Sequence, residues 1–238
     1  MKKFLVVNDD GIMADGIIRL ARAARELGEV WVVAPAGERS AASHSISLRT
    51  PLDIYPVDFP VEGVHAFSCS GTPADCVRVA VHAIMDEKPD LLLSGVNNGY
   101  NTGTDAQYSA TIGAAMEGAF QGIRSIAVSK AYDGLYEVTD ALLPELLKEY
   151  RDYALGYMQI VNINIPGCPI SEYKGILRDR ALSHSMFFTD TYGKTEDLPG
   201  GGIRYSVIGT YQEKAEEGSD IHALLNNYIS VGVVTNLL

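Results

Sequence analysis

What most constrains this chain is an alternation: short, mainly apolar runs, each followed by a stretch of helical length. Residues 4–7, 30–34, 91–93 and 125–128 are the apolar runs, and 159–165 reads as a last core strand. They are short enough for strands and too uniformly apolar to have a wet face, as expected of strands covered on both sides. Between them, residues 16–27 put Ile17, Leu20, Ala21, Ala24 and Leu27 on one helical face, and Gly28 suits that helix's end. Residues 71–85 open a helix with Thr72 as N-cap, Pro73 in the first turn and Asp75 near its positive end. Residues 109–120 predict a small-residue helix, and 138–153 a further one. Strands linked by helices of these lengths imply an α/β chain with a Rossmann-like, doubly wound, mostly parallel sheet.

Residues 52–57 and 64–68 read as shorter β pieces, a hairpin or an edge. After Pro166 the pattern changes: Gly200, Gly201 and Gly202 precede a β-rich stretch at 203–211, and 228–234 predicts a last strand. The expected division is a core over 1–165 and a β-rich arm with the C-terminal strand over 166–238, within one unit. The arm is expected to make contacts between subunits rather than to hold the chemistry.

In a parallel sheet the carboxyl ends of the strands share one edge, and ligands bind outside it. Three oxygen-rich turns fall there: Asn8-Asp9-Asp10-Gly11, the turn from Pro35 to Ser45, and the turn from Ser94 to Asp105. Neighbouring strand side chains face opposite ways, so Asp9 and Asp10 can share one ligand only where the strand ends, at Gly11. The competing reading is a solvated turn. Ser40 is singled out by position alone, and Asn97 offers an amide oxygen, although loop asparagines also serve backbone geometry. His44 reads as a ligand, as an acid–base group or, the favoured option, as a hydrogen-bonded loop histidine. These donors are hard oxygens without cysteine, a set suited to Mg²⁺, Mn²⁺ or Ca²⁺ rather than zinc.

The stretch from Gly95 to Gly118 is the phosphate-binding candidate. Gly95, Gly99 and Gly103 permit close backbone approach, and the helix opening at Ser109 and Thr111 offers free amides, a positive dipole and hydroxyls. Capping and tight packing explain the same residues without a ligand. Asp105 reads either as a group that orients water or a leaving group, or as a cap.

A net charge of -11 disfavours a long nucleic-acid groove and opposes a bare anion pocket, which a bound divalent cation would locally reverse. Cys69, Cys76 and Cys168 have no metal-like spacing and read as small buried thiols in a reducing cytosol. The opening apolar run stops at Asn8, short of a signal core, and no stretch reaches the roughly 20 apolar residues of a membrane span. A cytoplasmic protein is expected.

The motifs NDDGI, APAGERSAASHSISL, GTPADCVRVA, SGVNNGYNTGTD and YSATIGAAMEGA, in this order and spacing, resemble the SurE family, the stationary-phase survival proteins. NINIPG and GSDIHALLNNYISV extend the resemblance over nearly the whole chain. It implies a metal-dependent phosphomonoesterase acting on nucleoside 5′- and 3′-monophosphates, with short polyphosphate a further substrate of some members. Carried over residue by residue, the metal ligands fall on Asp9, Asp10, Ser40 and Asn97, and the phosphate hydroxyls on Ser109 and Thr111. One divalent ion per subunit and a homodimer or homotetramer joined by extended arms are also implied.

The chain departs from the family pattern in places. Ser43 and Ala110 stand where the family usually has glycine, and Ser230-Val231-Gly232-Val233 replaces a typical S-V-T-P. The usual basic cluster is thinned to Arg178 and Arg180. The expected mechanism is attack by water with Asp10 or Asp105 receiving a proton; attack by Asp9 itself is the alternative. A nucleotide-binding module without turnover is the rival function. A dinucleotide oxidoreductase is disfavoured because Asp9-Asp10-Gly11 stands where G-x-G-x-x-G belongs. A purely structural assembly protein would not need so many polar strand ends.

Overall fold

A computed structural model describes residues 1–132 and 135–236. In chain order the strands are β1 (Lys3–Val7), β2 (Glu29–Pro35), β3 (Ile54–Pro56), β4 (Val64–Cys69), β5 (Leu91–Asn98), β6 (Arg124–Lys130), β7 (Gln159–Ile165), β8 (Gly175–Leu177), β9 (Phe188–Leu198), β10 (Gly202–Tyr211) and β11 (Tyr228–Thr235). The α-helices are α1 (Asp15–Arg25), α2 (Pro73–Val79), α3 (Ala110–Phe120), α4 (Glu137–Tyr150) and α5 (Asp220–Leu225).

Among the described residues, nine strands form one sheet in the order β3-β4-β2-β1-β5-β6-β7-β11-β8. The six from β4 to β7 in that order are mutually parallel. At the edges β3 runs antiparallel to β4, and β11 antiparallel to β7. The doubly wound parallel sheet read from the sequence is therefore what forms, and its period-two alternation sorts the core into two layers. Phe4 and Val6 of β1 pack with Ile17, Leu20 and Leu147 of α1 and α4. Leu5 and Val7 face the other way, toward Cys76 and Val77 of α2 and Ile112, Ala115 and Met116 of α3.

The elements differ from expectation in three informative places. The helix expected over 71–85 is regular only to Val79 and continues as a π turn, Ala80–Ile84. Its start follows the sequence: Thr72 accepts from the Asp75 amide, and the Asp75 carboxylate accepts from the Thr72 amide, a complete capping box. Strand β5 runs on past the expected Leu93 to Asn98, because Asn97 and Asn98 pair with Ser129 and Lys130 across a register shift. Finally, the boundary expected at 165/166 cuts through the sheet. Strands β8 and β11 complete it, and only the antiparallel hairpin β9–β10 stands apart. Antiparallel pairing to β7 lets β11 return to the core without a helical crossover.

Helix α1 lies unusually close to the sheet at Gly16, where a Cβ would fall 2.0 Å from the Val96 carbonyl oxygen. No flexible side chain can yield there. Gly16→Ala is expected to cost about 1–3 kcal/mol by overpacking, lowering the melting temperature by roughly 2–4 °C for each of those kcal/mol. Thermal denaturation of the variant checks this, and an unchanged midpoint would contradict the contact.

Candidate active site at the β1–β5 switch

From β1 the chain winds outward to β2 and β4; from β5 it winds the other way, to β6 and β7. The crevice at the carboxyl ends of β1 and β5 is thus the point where winding reverses, where open α/β sheets bind ligands. Asp9, Ser40, Asn97, Asn98, Asp105 and Ser109 all line one cavity of about 740 Å³ at this edge.

The turn after β1 is closed by Asn8, whose side-chain amide donates to the Gly11 carbonyl at 2.9 Å. Gly11 holds φ +107, and a Cβ there would touch the Gly37 backbone. The turn after β2 is fastened to it by the Arg39 amide, which donates to the Asp9 carbonyl oxygen at 2.7 Å. In that second turn the Ser40 hydroxyl donates to Glu38 at 2.9 Å. Asn97 donates its side-chain N–H to the Gly99 carbonyl at 2.8 Å, which leaves its amide oxygen as the free acceptor. Asp10 accepts from the Asn98 amide at 3.1 Å.

Asp9 is 3% exposed. Its Oδ1 accepts a 2.6 Å hydrogen bond from the Thr111 hydroxyl. Burial, opposed by that bond and assisted by the charge of Asp10, pushes the Asp9 carboxyl up to about 7. Burial raises Asp10 as well, and the charge of Glu38 adds to this while Lys130 opposes it. Thr111, expected at the phosphate, is fully buried and bonded to Asp9; it positions a carboxylate from the first turn of α3. Ser109 keeps its expected place. Its oxygen caps α3 by accepting from the Ile112 amide at 3.1 Å, so its proton remains to be donated into the cavity.

Asp105 is not the cap of α3, although it lines the cavity. Ser109 is the cap, and Asp105 Oδ2 accepts from the Phe187 and Phe188 amides at 2.8 and 2.9 Å, anchoring the start of the hairpin. Two of the three glycines expected to admit an anion are required by the protein itself. A Cβ at Gly95 would meet the Val128 carbonyl oxygen, and one at Gly103 the Ser185 carbonyl oxygen, each at 2.1 Å. Only Gly99 of the three lines the cavity. His44 takes the hydrogen-bonded reading: it contacts Glu117 at 2.9 Å, and Arg78 also pairs with Glu117. The three cysteines are buried free thiols.

The residues that hold the last turn have roles the sequence did not indicate; Asn98 and Asn101 read there as further amides beside Asn97. Asn101 donates its amides to Asn164 and Ser129, while its carbonyl accepts from the side chains of both Asn162 and Asn164. Asp220 accepts from the Gly103 and Ser183 amides at 2.9 and 2.8 Å. Lys130, at the end of β6, is 1% exposed and donates to Asn98 Oδ1 at 2.9 Å. It stations a positive charge behind the residue whose amide holds Asp10. Buried polar side chains inside β6 and β7 were the available signal, since strands buried on both faces have little other use for them.

Of the departures, Ser43 explains itself. It sits at φ +51, where glycine is at ease, and its hydroxyl donates to the Gln107 carbonyl at 3.0 Å. Ala110 is fully buried and is not part of the cavity wall, so its methyl does not reach a phosphate there. The tail, through Asn236, lies against β7 as β11 and its continuation.

The donor set fits a hard divalent cation. Asp9, Asp10 and Asn97 each use one polar atom to fix the side chain and keep a second oxygen, and Ser40 keeps its lone pairs. Two acidic groups driven toward protonation by burial would be returned to the charged form by such an ion. Among the described residues no cluster of three His, Cys, Asp or Glu stands close enough for a metal, so neutral oxygens must complete the set.

Known proteins resemble this chain over nearly its whole length. The sequence model of a family described as "Survival protein SurE" matches residues 4–186. A 5′-nucleotidase SurE from Thermosipho africanus is 39% identical over 237 residues, covering 98% of this chain and 91% of that protein. A 5′-nucleotidase SurE from Mesorhizobium japonicum is 39% identical over 241 residues, covering 96% and 91%. The crystal structure of a SurE protein from Aquifex aeolicus superposes with a TM-score of 0.84 at 35% identity, over 99% of this chain and 94% of that one.

Two outcomes follow from the site's electrostatics and strain. Raising the Asp9 pKa from 3.8 to about 7 withdraws stability as pH rises between those values. The loss is absent below about pH 4 and complete above 7, and amounts to roughly 4 kcal/mol for three pH units. In chelator-treated protein, Asp9→Asn, which can still accept from Thr111, is therefore expected to melt above wild type at pH 8 and together with it near pH 4. Equal melting at pH 8 would contradict the burial cost. At Ser43, Gly removes left-handed strain and one hydrogen bond, terms of about 1 kcal/mol each. Ser43→Gly is thus expected near wild-type stability, and Ser43→Ala about 1 kcal/mol below it by denaturant titration.

Proposed function

The chain belongs to the SurE family, and on that premise we propose that it hydrolyses nucleoside monophosphates through a divalent cation held by Asp9, Asp10, Ser40 and Asn97. It is a 5′-nucleotidase. The finer reading includes nucleoside 3′-monophosphates and short polyphosphate as further substrates, and Mg²⁺ or Mn²⁺ as the ion, with Ca²⁺ as a bound substitute. The observation that carries it is the convergence of Asp9, Ser40, Asn97 and Ser109 on one cavity, with Asp10 next to Asp9 at the end of β1.

In this reading the free amides of α3 and the Ser109 hydroxyl hold the phosphate oxygens and take up negative charge as the ester bond breaks. A divalent cation held by Asp9, Asp10, Ser40 and Asn97 would supply positive charge against the phosphoryl group and lower the pKa of a water bound to it. Asp10, fixed by the Asn98 amide, receives the water's proton. Thr111 keeps Asp9 in one orientation. Water is preferred to Asp9 as the nucleophile because Asp9 is 3% exposed and has one oxygen engaged. Asp105, first taken as a second proton acceptor, is read as the anchor of the hairpin.

No helix among the described residues is long and apolar enough to cross a membrane, and a cytoplasmic location is proposed with a nucleotide as the small-molecule partner. Ile203, Tyr205, Val207 and Ile208 stand exposed on β10, which supports assembly into a homodimer or homotetramer through the hairpin.

Phosphate release from 5′- and 3′-nucleotides and short polyphosphate, with Mg²⁺, Mn²⁺ or EDTA, tests the proposal. EDTA is expected to abolish turnover, and Asp9→Asn to lower kcat at least 100-fold in protein that melts cooperatively. Adding Mn²⁺ is expected to raise the melting temperature of wild type and not of Asp9→Asn. Turnover by Asp9→Asn within tenfold of wild type would refute the assignment.

A further inference from the structure

The cavity does not end at the phosphate side. Its far wall is Tyr108, Met186, Phe188, Asp190, Tyr192 and Tyr211, four of them from the hairpin. Along β9, Phe188, Asp190 and Tyr192 are separated by two residues each and so share one face. Tyr211 pairs with Phe188 across the hairpin, with ring centroids 5.2 Å apart. Opposite Asp190 stands Gly209, where a Cβ would come to 3.4 Å from the carboxylate. The missing side chain leaves Asp190 uncovered between aromatic rings. Its carboxylate has no hydrogen bond or ion pair to any described residue. Tyr108 and Tyr192, 59% and 69% exposed, likewise present bare ring surface.

An aromatic surface with one uncovered carboxylate suits a flat heterocycle that stacks and presents N–H groups along one edge. The nucleobases differ in that respect. Guanine offers an adjacent ring N–H and amino group, which a carboxylate accepts in parallel. Adenine and cytosine place a ring lone pair beside the amino group, and uracil flanks its N–H with two carbonyls, so each brings repulsion with its donor. We infer that the hairpin face around Asp190 is the base subsite, that Asp190 is a specificity-determining residue, and that guanine nucleotides are the preferred substrates. The inference rests on the nucleotidase reading and adds the base to it.

The test compares GMP with IMP, which differ only by the exocyclic amino group, in wild type and in Asp190→Asn. Wild type is expected to favour GMP at least tenfold in kcat/KM, and Asp190→Asn to bring the ratio within about twofold of one, with Asp190→Ala agreeing. A wild-type ratio near one, or a ratio that survives both substitutions, overturns the inference. p-Nitrophenyl phosphate, which has no base, is followed in wild type so that absence of hydrolysis is seen separately. If nothing is hydrolysed, the nucleotidase reading fails, and calorimetric binding of guanosine against inosine decides the subsite alone. Selectivity for guanosine that Asp190→Asn removes upholds it, and equal binding overturns it.

Discussion

Everything at this site depends on one costly arrangement, a carboxylate at the end of β1 that is almost dry and lies beside a second carboxylate. Water would stabilise the charge of Asp9 better than the protein does, as its raised pKa records. The fold maintains it because the core on both sides of β1 leaves the chain nowhere else to go after Val7. Around that residue the three turns are tied to one another by backbone hydrogen bonds, Arg39 to Asp9 and Ser43 to Tyr108. A Cβ at Gly113 would lie 2.2 Å from the Ser43 carbonyl oxygen, so the second turn rests directly on α3. A site whose members are so fastened has little reorganisation left when charge moves.

The same logic explains the polar residues buried in otherwise apolar strands. Asn101, Asn162, Asn164 and Ser129 bond to one another and hold a long irregular turn against the sheet edge, with Asn162 Oδ1 left unpartnered. Such a network is favourable only when nearly all its members find partners, so it fixes one conformation of the turn rather than several. Lys130 does similar service by charge, offsetting part of the repulsion that Glu38 adds to the two aspartates.

Much of this was legible in the sequence. Apolar runs with intervening amphipathic stretches reveal a doubly wound sheet because both periodicities are strong, and Thr72, Pro73 and Asp75 mark a helix start by local chemistry alone. Asp9, Ser40, Asn97 and Ser109 could be expected at one edge because parallel strands end together. What stayed hidden depends on distant partners. Nothing near Asp105 reveals that the Phe187 and Phe188 amides reach it, and nothing near Thr111 reveals that its hydroxyl turns inward to Asp9. The extension of β5 to Asn98 was obscured by Gly95, which reads as a break until Val128 is seen pressed against it. The return of β11 to the sheet was likewise invisible, since an antiparallel edge strand needs no particular spacing from its neighbour.

Asp105 and Asp220 have a mechanical consequence. Asp220 grips Gly103 and Ser183, and Asp105, two residues beyond Gly103, grips Phe187 and Phe188. The turn that leads into α3 and the root of the hairpin are thereby joined at both ends of one short lever. Whatever swings the hairpin, whether a neighbouring subunit or a ligand lying against it, must pull on the turn that leads into α3. By reciprocity, an anion settling at the start of α3 biases where the hairpin points. Occupancy of the pocket and posture of the arm are then a single equilibrium read at two places.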